Sequence, residues 1–158
     1  MIVIIGLLAA GAVIAASLVG GDSELETESE RFVTLVGYAR EQAELQTREY
    51  GLWIDEDGYE FLGFDPRRGI WRSVDADQAL RDRELPDGIR VSLLIEGRPV
   101  VLRRPQKLEE RIPHVMLFSN GDTTPFVLTL ARTGSEDRAV VESDETGAVK
   151  LREEEESR

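Results

Sequence analysis

The first 21 residues of the chain carry no charged side chain. Apart from Met1, residues 1–19 are Ile, Val, Leu, Ala and Gly with one Ser. As an α-helix, this stretch would be roughly 28 Å long, about the thickness of a bilayer's hydrocarbon core. A soluble helix of this length normally shows a polar stripe, and none is present here. We therefore interpret residues 1–21 as a retained helix that faces lipid or other apolar helices, in preference to a buried core helix.

A cleaved signal peptide is the alternative interpretation of the same segment. Ala10-Gly11-Ala12 is similar to the small-residue site at which such peptides are cut. A signal peptide opens with basic residues, however, and the first basic residue of this chain is Arg31. The retained membrane helix is the interpretation that we carry forward.

Residues 22–50 are predicted to continue the helix in amphipathic form, because they contain no proline and have a 3.6-residue apolar period. The acidic residues between 22 and 30, Glu28 among them, are interpreted as holding this segment outside the lipid. Glu44 and Arg48 have the i, i+4 spacing of a helix-supporting ion pair. The apolar stripe that should pack on a soluble domain comprises Phe32, Leu35, Val36, Ala39 and Ala43.

After Gly51 the apolar period changes to two, which predicts antiparallel strands. Asp57-Gly58 and Asn120-Gly121 are hairpin turn signals, and residues 89–95 form the clearest alternating strand. We expect about eight short strands between residues 51 and 151, arranged as a sandwich or as two packed sheets. Residues 152–158 are an acidic tail that we expect to be disordered. The predicted class is α+β, with one long N-terminal helix packed on an antiparallel two-sheet domain.

The composition disfavours most enzyme chemistry. The chain has no cysteine and a single histidine, His114, which excludes thiolate catalysis and multi-histidine metal sites. Residues 55–60 resemble part of a calcium loop, but Pro66 stands where the loop needs its last glutamate, so we prefer a plain hairpin. With 31 acidic and 19 basic residues, the net charge of −12 opposes general nucleic-acid binding. We expect no catalytic residue, metal, cofactor or nucleic-acid partner.

Several segments together resemble one family of pilin-like proteins. Residues 3–10 are similar to the middle of the apolar signal helix of pilins and pseudopilins. Four further segments resemble one particular family among the pilin-like proteins: residues 32–46, 48–52, 58–62 and 85–89. The run Ser-Asn-Gly-Asp-Thr-Thr-Pro-Phe at 119–126 resembles a motif of the same family. The chain thus resembles the GspH/FimT pilin-like family over nearly its whole length. The motif residues are Ser119, Asn120, Gly121, Asp122, Thr123, Pro125 and Phe126.

The resemblance implies a type IV pilin-like fold and a role as a minor pseudopilin of type II secretion, without enzyme activity. Such a subunit would be anchored in the inner membrane by a single pass, with its β domain in the periplasm. Its partners would be other minor and major pseudopilins and the inner-membrane assembly platform. The alternatives are a FimT-like minor type IV pilin in DNA uptake or adhesion, and a membrane-tethered periplasmic β-sandwich binding module.

The helix of such a subunit must be stable both in the membrane and beside other helices in the fibre core. Small residues permit close helix approach, and branched apolar residues supply area in either environment. The residues that we assign to membrane and subunit packing are Ile2, Ile4, Ile5, Gly6, Leu7, Leu8, Ala9, Ala12, Val13 and Ile14.

The family's leader, its peptidase-site glycine and the Phe and Glu that open the mature, methylated helix have no counterpart in the sequence. These residues would lie just upstream of Met1. We therefore expect that Met1 is an internal methionine of a longer reading frame.

Overall fold

The computed structural model opens with one long helix, α1, which spans Ile2–Gln46 and includes 45 residues. The structure describes the backbone of residues 2–103, 107 and 111–152, and the side chains within these ranges from residue 23 onward. Residues 153–158 of the predicted acidic tail, and residues 104–106 and 108–110, lie outside the described residues. Helix α1 ends four residues before the predicted end at residue 50.

The helix ends at Gln46 because the next residue leaves the helical conformation. Thr47 has a φ of 49°, and the N–H of Arg48 donates to the carbonyl oxygen of Ala43 at 3.1 Å. Arg48 therefore turns away from α1, and its Nε donates to the carbonyl oxygen of Phe64 at 2.9 Å. The prediction of a Glu44–Arg48 ion pair is wrong for this reason. The carboxylate oxygen Oε1 of Glu44 instead lies 4.0 Å from Nε of Arg40.

The first sheet is antiparallel and contains five strands. Its order is β3-β2-β1-β7, and β4 pairs with the other end of β2. In the pairing of these strands, Leu52 of β1 lies opposite Phe61 of β2 on one side and opposite Val115 of β7 on the other. The strands are β1 Tyr50–Ile54, β2 Gly58–Asp65, β3 Ile70–Ser73, β4 Arg83–Glu84 and β7 Val115–Leu117.

The second sheet is also antiparallel and five-stranded, in the order β10-β9-β8-β5-β6. Its centre is the long pairing of β5 with β8, in which Leu93 lies opposite Leu128. Along β5 the alternation matches the sequence prediction, since Ile89 and Leu93 are buried while Arg90 and Ser92 are exposed. The strands are β5 Ile89–Ile95, β6 Arg98–Pro99, β8 Phe126–Arg132, β9 Arg138–Ser143 and β10 Val149–Leu151.

Helix α1 packs on both sheets, and this contact forms the core. It contacts β1 and β7 of the first sheet and β8, β9 and β10 of the second. The buried cluster combines helix residues such as Phe32 and Val36 with Leu52, Phe61 and Leu128 from the strands. The predicted α+β class, with a long helix on two antiparallel sheets, is confirmed.

Between β3 and β5, the polar residues 75–88 contain a 3₁₀ turn at Gln78–Leu80 and strand β4. The β1–β2 hairpin occurs where predicted, but its turn is held by Asp55, whose carboxylate accepts the N–H groups of Asp57 and Gly58. Gly58 is needed for a different reason, because a Cβ there would lie 2.0 Å from the carbonyl oxygen of Arg83.

Candidate functional site: the loop that joins the helix to both sheets

The motif at residues 119–126 forms one of the connections between the two sheets. It leaves β7 of the first sheet and enters β8 of the second. We call residues 118–125 the junction loop. At its start, the N–H of Phe118 donates to the carbonyl oxygen of Asp122 at 2.9 Å, and the N–H of Gly121 donates to that of Phe118 at 3.0 Å. The loop is therefore a tight, internally bonded turn.

Gly121 has a φ of 92°, in the left-handed region that favours glycine. The turn predicted at Asn120-Gly121 is therefore present, but it does not close a hairpin of β7 with β8, because these strands belong to different sheets. The side chain of Asn120 both accepts from the N–H of Asp122, at 3.0 Å, and donates to its carboxylate, at 2.7 Å. Asn and Asp are typical of such turns because their short side chains bond the neighbouring backbone. The turn thereby presents the carbonyl oxygen of Gly121 to the helix.

Arg40 on α1 joins the junction loop to a second turn. Its Nε donates to the carbonyl oxygen of Gly121 at 2.6 Å, and its terminal nitrogen donates to that of Thr146 at 3.0 Å. Thr146 belongs to the turn between β9 and β10. Hydrogen bonds from a charged group are stronger than those between neutral groups, so one side chain fixes two loops to the helix.

Glu49, just before β1, holds the other side of the junction loop. Its carboxylate accepts from the backbone N–H of Ser119 at 3.1 Å and from the Ser119 hydroxyl at 2.8 Å. Ser119 is thus bonded through both donors to the segment that follows α1. The loop is held by a cation on one side and by an anion on the other.

The two threonines of the motif complete the connection. The hydroxyl of Thr123 donates to the carbonyl oxygen of Gly147 at 2.9 Å, while the hydroxyl oxygen of Thr124 accepts from the N–H of Met116 at 3.0 Å. The carbonyl oxygen of Pro125 accepts from the N–H of Glu96, and buried Phe126 begins β8. The motif residues therefore hold the two sheets and the β9–β10 turn together.

A side chain at residue 121 is expected to loosen the junction loop. Gly121→Val places a β-branched residue at φ 92° and a Cβ 3.0 Å from the carboxylate of Glu44. We expect a loss of about 2–3 kcal/mol in the free energy of unfolding. Thermal unfolding of the full chain, followed by circular dichroism, should show Tm lower by about 4–9 °C.

Gly134→Val is the matched control, because Gly134 has a φ of 79° and a Cβ added there would have no neighbour within 4 Å. It carries the conformational strain without the contact to the helix. A Gly121→Val protein that melts no lower than the Gly134→Val protein would contradict the role of the junction loop.

The apolar stripe predicted from periodicity lies against the strands. Phe32, Leu35, Val36, Ala39 and Ala43 are all buried in the common core. Phe32 packs edge-on against Tyr59 of β2, with ring centroids 5.1 Å apart. The small side chains of Ala39 and Ala43 allow the helix to approach the sheets closely next to the junction loop.

Glu28 has a structural role that was not predicted from the sequence. It is only 2% exposed, and its carboxylate accepts from the Tyr59 hydroxyl at 3.2 Å and from Arg31 at 2.6 Å. At this turn α1 already lies on the domain, so Glu28 is a packing and hydrogen-bonding residue there, and the interpretation that the acids hold the segment outside the lipid stays a prediction. Burial, and then the charge of Glu28, raise the pKa of Tyr59.

His114 and Trp53 form a structural pair on the first sheet. Their rings are stacked with centroids 6.4 Å apart, and Nδ1 of His114 accepts from the N–H of Ile54 at 3.1 Å. Burial lowers the pKa of His114, and the neutral ring is the form whose Nδ1 can accept this hydrogen bond. Nδ1 of His114 is therefore engaged by the backbone of β1.

The ten residues assigned to membrane and subunit packing, between Ile2 and Ile14, lie outside the described side chains. Their backbone belongs to α1. Where side chains are described, no helix has the length and apolar character needed to cross a membrane. The assignment of residues 1–21 therefore stays a prediction from the sequence.

Two residues that hold the junction loop, Arg40 and Glu49, were not identified by the sequence analysis. Both look like ordinary surface charges, because nothing in the sequence indicates which loop their side chains contact. Arg40 did carry a signal, because it follows Val36 by one helical turn and so lies beside the buried stripe. Glu49 carried none, because its partner, Ser119, is 70 residues away.

Comparison with known proteins agrees with this geometry. The family model for the type II transport protein GspH matches residues 28–147. The type II secretion system protein H of Pseudomonas aeruginosa is 32% identical over 145 residues, which cover 89% of this chain and 82% of that protein. The Aeromonas hydrophila protein of the same name is 29% identical over 161 residues, which cover 97% of this chain and 88% of that protein.

Solved structures match the fold. The minor pseudopilin EpsH from the type 2 secretion system of Vibrio cholerae superimposes with a TM-score of 0.70 at 23% identity, over 85% of this chain and 99% of that chain. The solution structure of Escherichia coli GspH gives a TM-score of 0.62 at 15% identity, over 87% of this chain and 93% of that chain. Because the family model matches α1 from residue 28 onward, strands β1–β9 and the junction loop, this chain belongs to the GspH family of type II transport proteins.

Proposed function

We propose that the protein is a minor pseudopilin of a type II secretion system, a structural subunit that supports protein export across the outer membrane. The observation that carries the proposal is the continuity of α1, which runs 45 residues from the uncharged segment into the core of the β domain. A subunit held by the first half of this helix is rigidly connected to its globular domain by the second half.

The uncharged half of α1 suits the two environments that this role demands. Before assembly, a helix in the membrane satisfies its backbone groups internally. After assembly, Gly6, Ala9 and Ala12 would let neighbouring helices approach closely in the fibre core, while Leu8 and Ile14 supply packing area. We place the chain in the inner membrane by a single pass, with residues 51–151 in the periplasm.

The partners that we propose are other minor and major pseudopilins and the inner-membrane assembly platform, with the subunit at or near the pseudopilus tip. The junction loop supports this role, because it fixes the position of both sheets relative to the helix through Arg40 and Glu49. Rigid placement of the outer surface is what a fibre subunit requires. A DNA-uptake role is not favoured, since the net charge of −12 repels a polyanion.

The test is deletion of the gene followed by complementation. We expect export of the host's type II substrates to fall when the gene is deleted and to recover when the full reading frame is restored in trans. Substrate should accumulate in the periplasm of the deletion strain. Normal export without the gene would refute the proposal, and a loss of DNA uptake with intact export would instead favour the FimT-like alternative.

A further inference from the structure

The outer edge of the first sheet carries a concentration of arginines in a chain that is otherwise strongly acidic. A cavity of about 440 Å³ lies along β3. It is lined by Arg48, Arg68, Arg72 and Arg111, against two carboxylates, Asp65 and Asp75. The cavity is therefore positively charged, whereas the whole chain has 31 acidic and 19 basic residues. We call this surface the β3 edge.

Two of these arginines are held in place by the sheet. Arg48 donates to the carbonyl oxygen of Phe64, and its guanidinium lies 5.7 Å from the centre of the Tyr50 ring. It fills the space over Gly63, where a Cβ would come within 2.5 Å of it. On the other side, Arg111 pairs with Glu60 and donates to the hydroxyl of Ser73 at 3.3 Å.

Arg72 is available to a partner. Its side chain is 53% exposed, and its nearest contact with Asp65 is 3.7 Å. An exposed pair at that distance contributes little stability, so the guanidinium can turn toward another carboxylate at small cost. Arg68, on the hairpin that leads into β3, is also exposed.

The backbone beside these arginines is an unpaired strand edge. Within the described part of the chain, β3 pairs only with β2. Side chains alternate along a strand, so Arg72 points to the face where Arg48 covers Gly63, and Ser73 points to the face of Arg111. An extended segment laid along β3 would meet Arg72 on one face of the sheet, whereas Arg111 on the other face is already paired with Glu60.

We propose that the β3 edge binds an extended acidic segment of another pseudopilin subunit, which adds a strand to the first sheet. The unpaired strand supplies backbone hydrogen bonds, and the exposed Arg72 and Arg68 select carboxylates of the incoming strand. Nucleic acid fits less well, because it has no peptide backbone to pair with the strand edge and the net charge of −12 repels a long polyanion. The identity of the partner rests on the proposed function, whereas the acidic-strand chemistry does not.

The binding test uses the full chain in mild detergent at low ionic strength. The probe is a short fluorescein-labelled peptide of alternating Glu and Val, whose binding is measured by anisotropy. The variants are Arg72→Glu and Arg68→Glu, and the matched control is Arg90→Glu, an exposed arginine on the second sheet with the same charge change. We expect both β3-edge variants to weaken binding about fivefold or more and the control to leave it unchanged.

Three results would overturn the proposal. One is no binding of the Glu-Val peptide by the wild-type chain. Another is equal weakening by Arg90→Glu, which would indicate only a response to total charge. The third is equal competition by a short single-stranded DNA, which would indicate a general anion site. A peptide of alternating Lys and Val should not compete.

Secretion by the same variants tests whether the occupant is a secretion subunit. In the deletion strain, we expect Arg72→Glu to restore less export than Arg90→Glu. Equal export from the two variants would overturn the assignment to a pseudopilin partner. The gene deletion alone tests the proposed function. If that function is incorrect, export is unchanged in the deletion strain, and this is seen before any variant is introduced.

Discussion

Replacing Leu8 by arginine is expected to abolish export to the level of the deletion strain. Leu8 lies in the middle of the uncharged segment, among the residues whose side chains are not described, so the expectation rests on the sequence. A charge at the centre of a membrane helix costs at least about 2.5–3.5 kcal/mol on insertion scales. The same charge would be unpaired among the apolar helices of a fibre core.

Leu45→Arg provides the matched control. Leu45 is on the same helix, but it lies in the half that packs on the β domain, and its side chain is 70% exposed to solvent. We expect Leu45→Arg to support normal export. The Leu8→Arg domain should stay folded, which thermal unfolding followed by the fluorescence of Trp53 and Trp71 would check. Normal export by Leu8→Arg would contradict the assembly role of the helix, and a large drop in Tm would assign its effect to misfolding.

The elements that could be predicted from the sequence are those specified by local patterns. The 3.6-residue period placed Phe32 and Val36 on the buried face of α1, and the two-residue period placed Ile89 and Leu93 on the buried face of β5. The Asn120-Gly121 turn was also predictable, because a left-handed residue strongly favours glycine. In each case neighbouring residues determine the conformation.

The features that were missed depend on residues far apart in the chain. The burial of Glu28 depends on Tyr59, and Gly58 is required by the approach of Arg83. The end of α1 at Gln46 was not predicted, because Thr47 has a positive φ, a backbone conformation that residues other than glycine rarely adopt. Tertiary contacts override local preference at such positions, so a single sequence gives no signal for them.

The junction loop shows how the family motif and the helix stripe act together. The motif residues reach the helix through Arg40, which lies between the buried residues Val36 and Ala43 along α1. The stripe supplies apolar area, whereas the loop supplies directed hydrogen bonds. Area alone would hold the helix on the sheets, but directed bonds fix its position along them. We infer that both are needed to give the outer surface one orientation relative to the helix axis.

Truncation of Phe32 to alanine is expected to cause the largest loss of stability among single changes in the stripe. Phe32 is 1% exposed, and its ring packs edge-on against Tyr59, whose hydroxyl is bonded to Glu28 one helical turn away. Removing a buried phenylalanine ring costs about 3–5 kcal/mol. Because domains of this size are stable by only about 5–15 kcal/mol, much of the folded state's margin would be lost.

Urea unfolding of the full chain in detergent, followed by tryptophan fluorescence, would measure this loss as a lower midpoint with an unchanged slope. Phe118→Ala is the matched control, since Phe118 is 36% exposed and its truncation should cost only about 1–2 kcal/mol. If Phe32→Ala were no more destabilising than Phe118→Ala, α1 would not be held on β2 by this contact. The rigid connection between the apolar half of the helix and the domain would then need another origin. Arg40 would be the next candidate, because its bonds to the carbonyl oxygens of Gly121 and Thr146 join α1 to two loops at once.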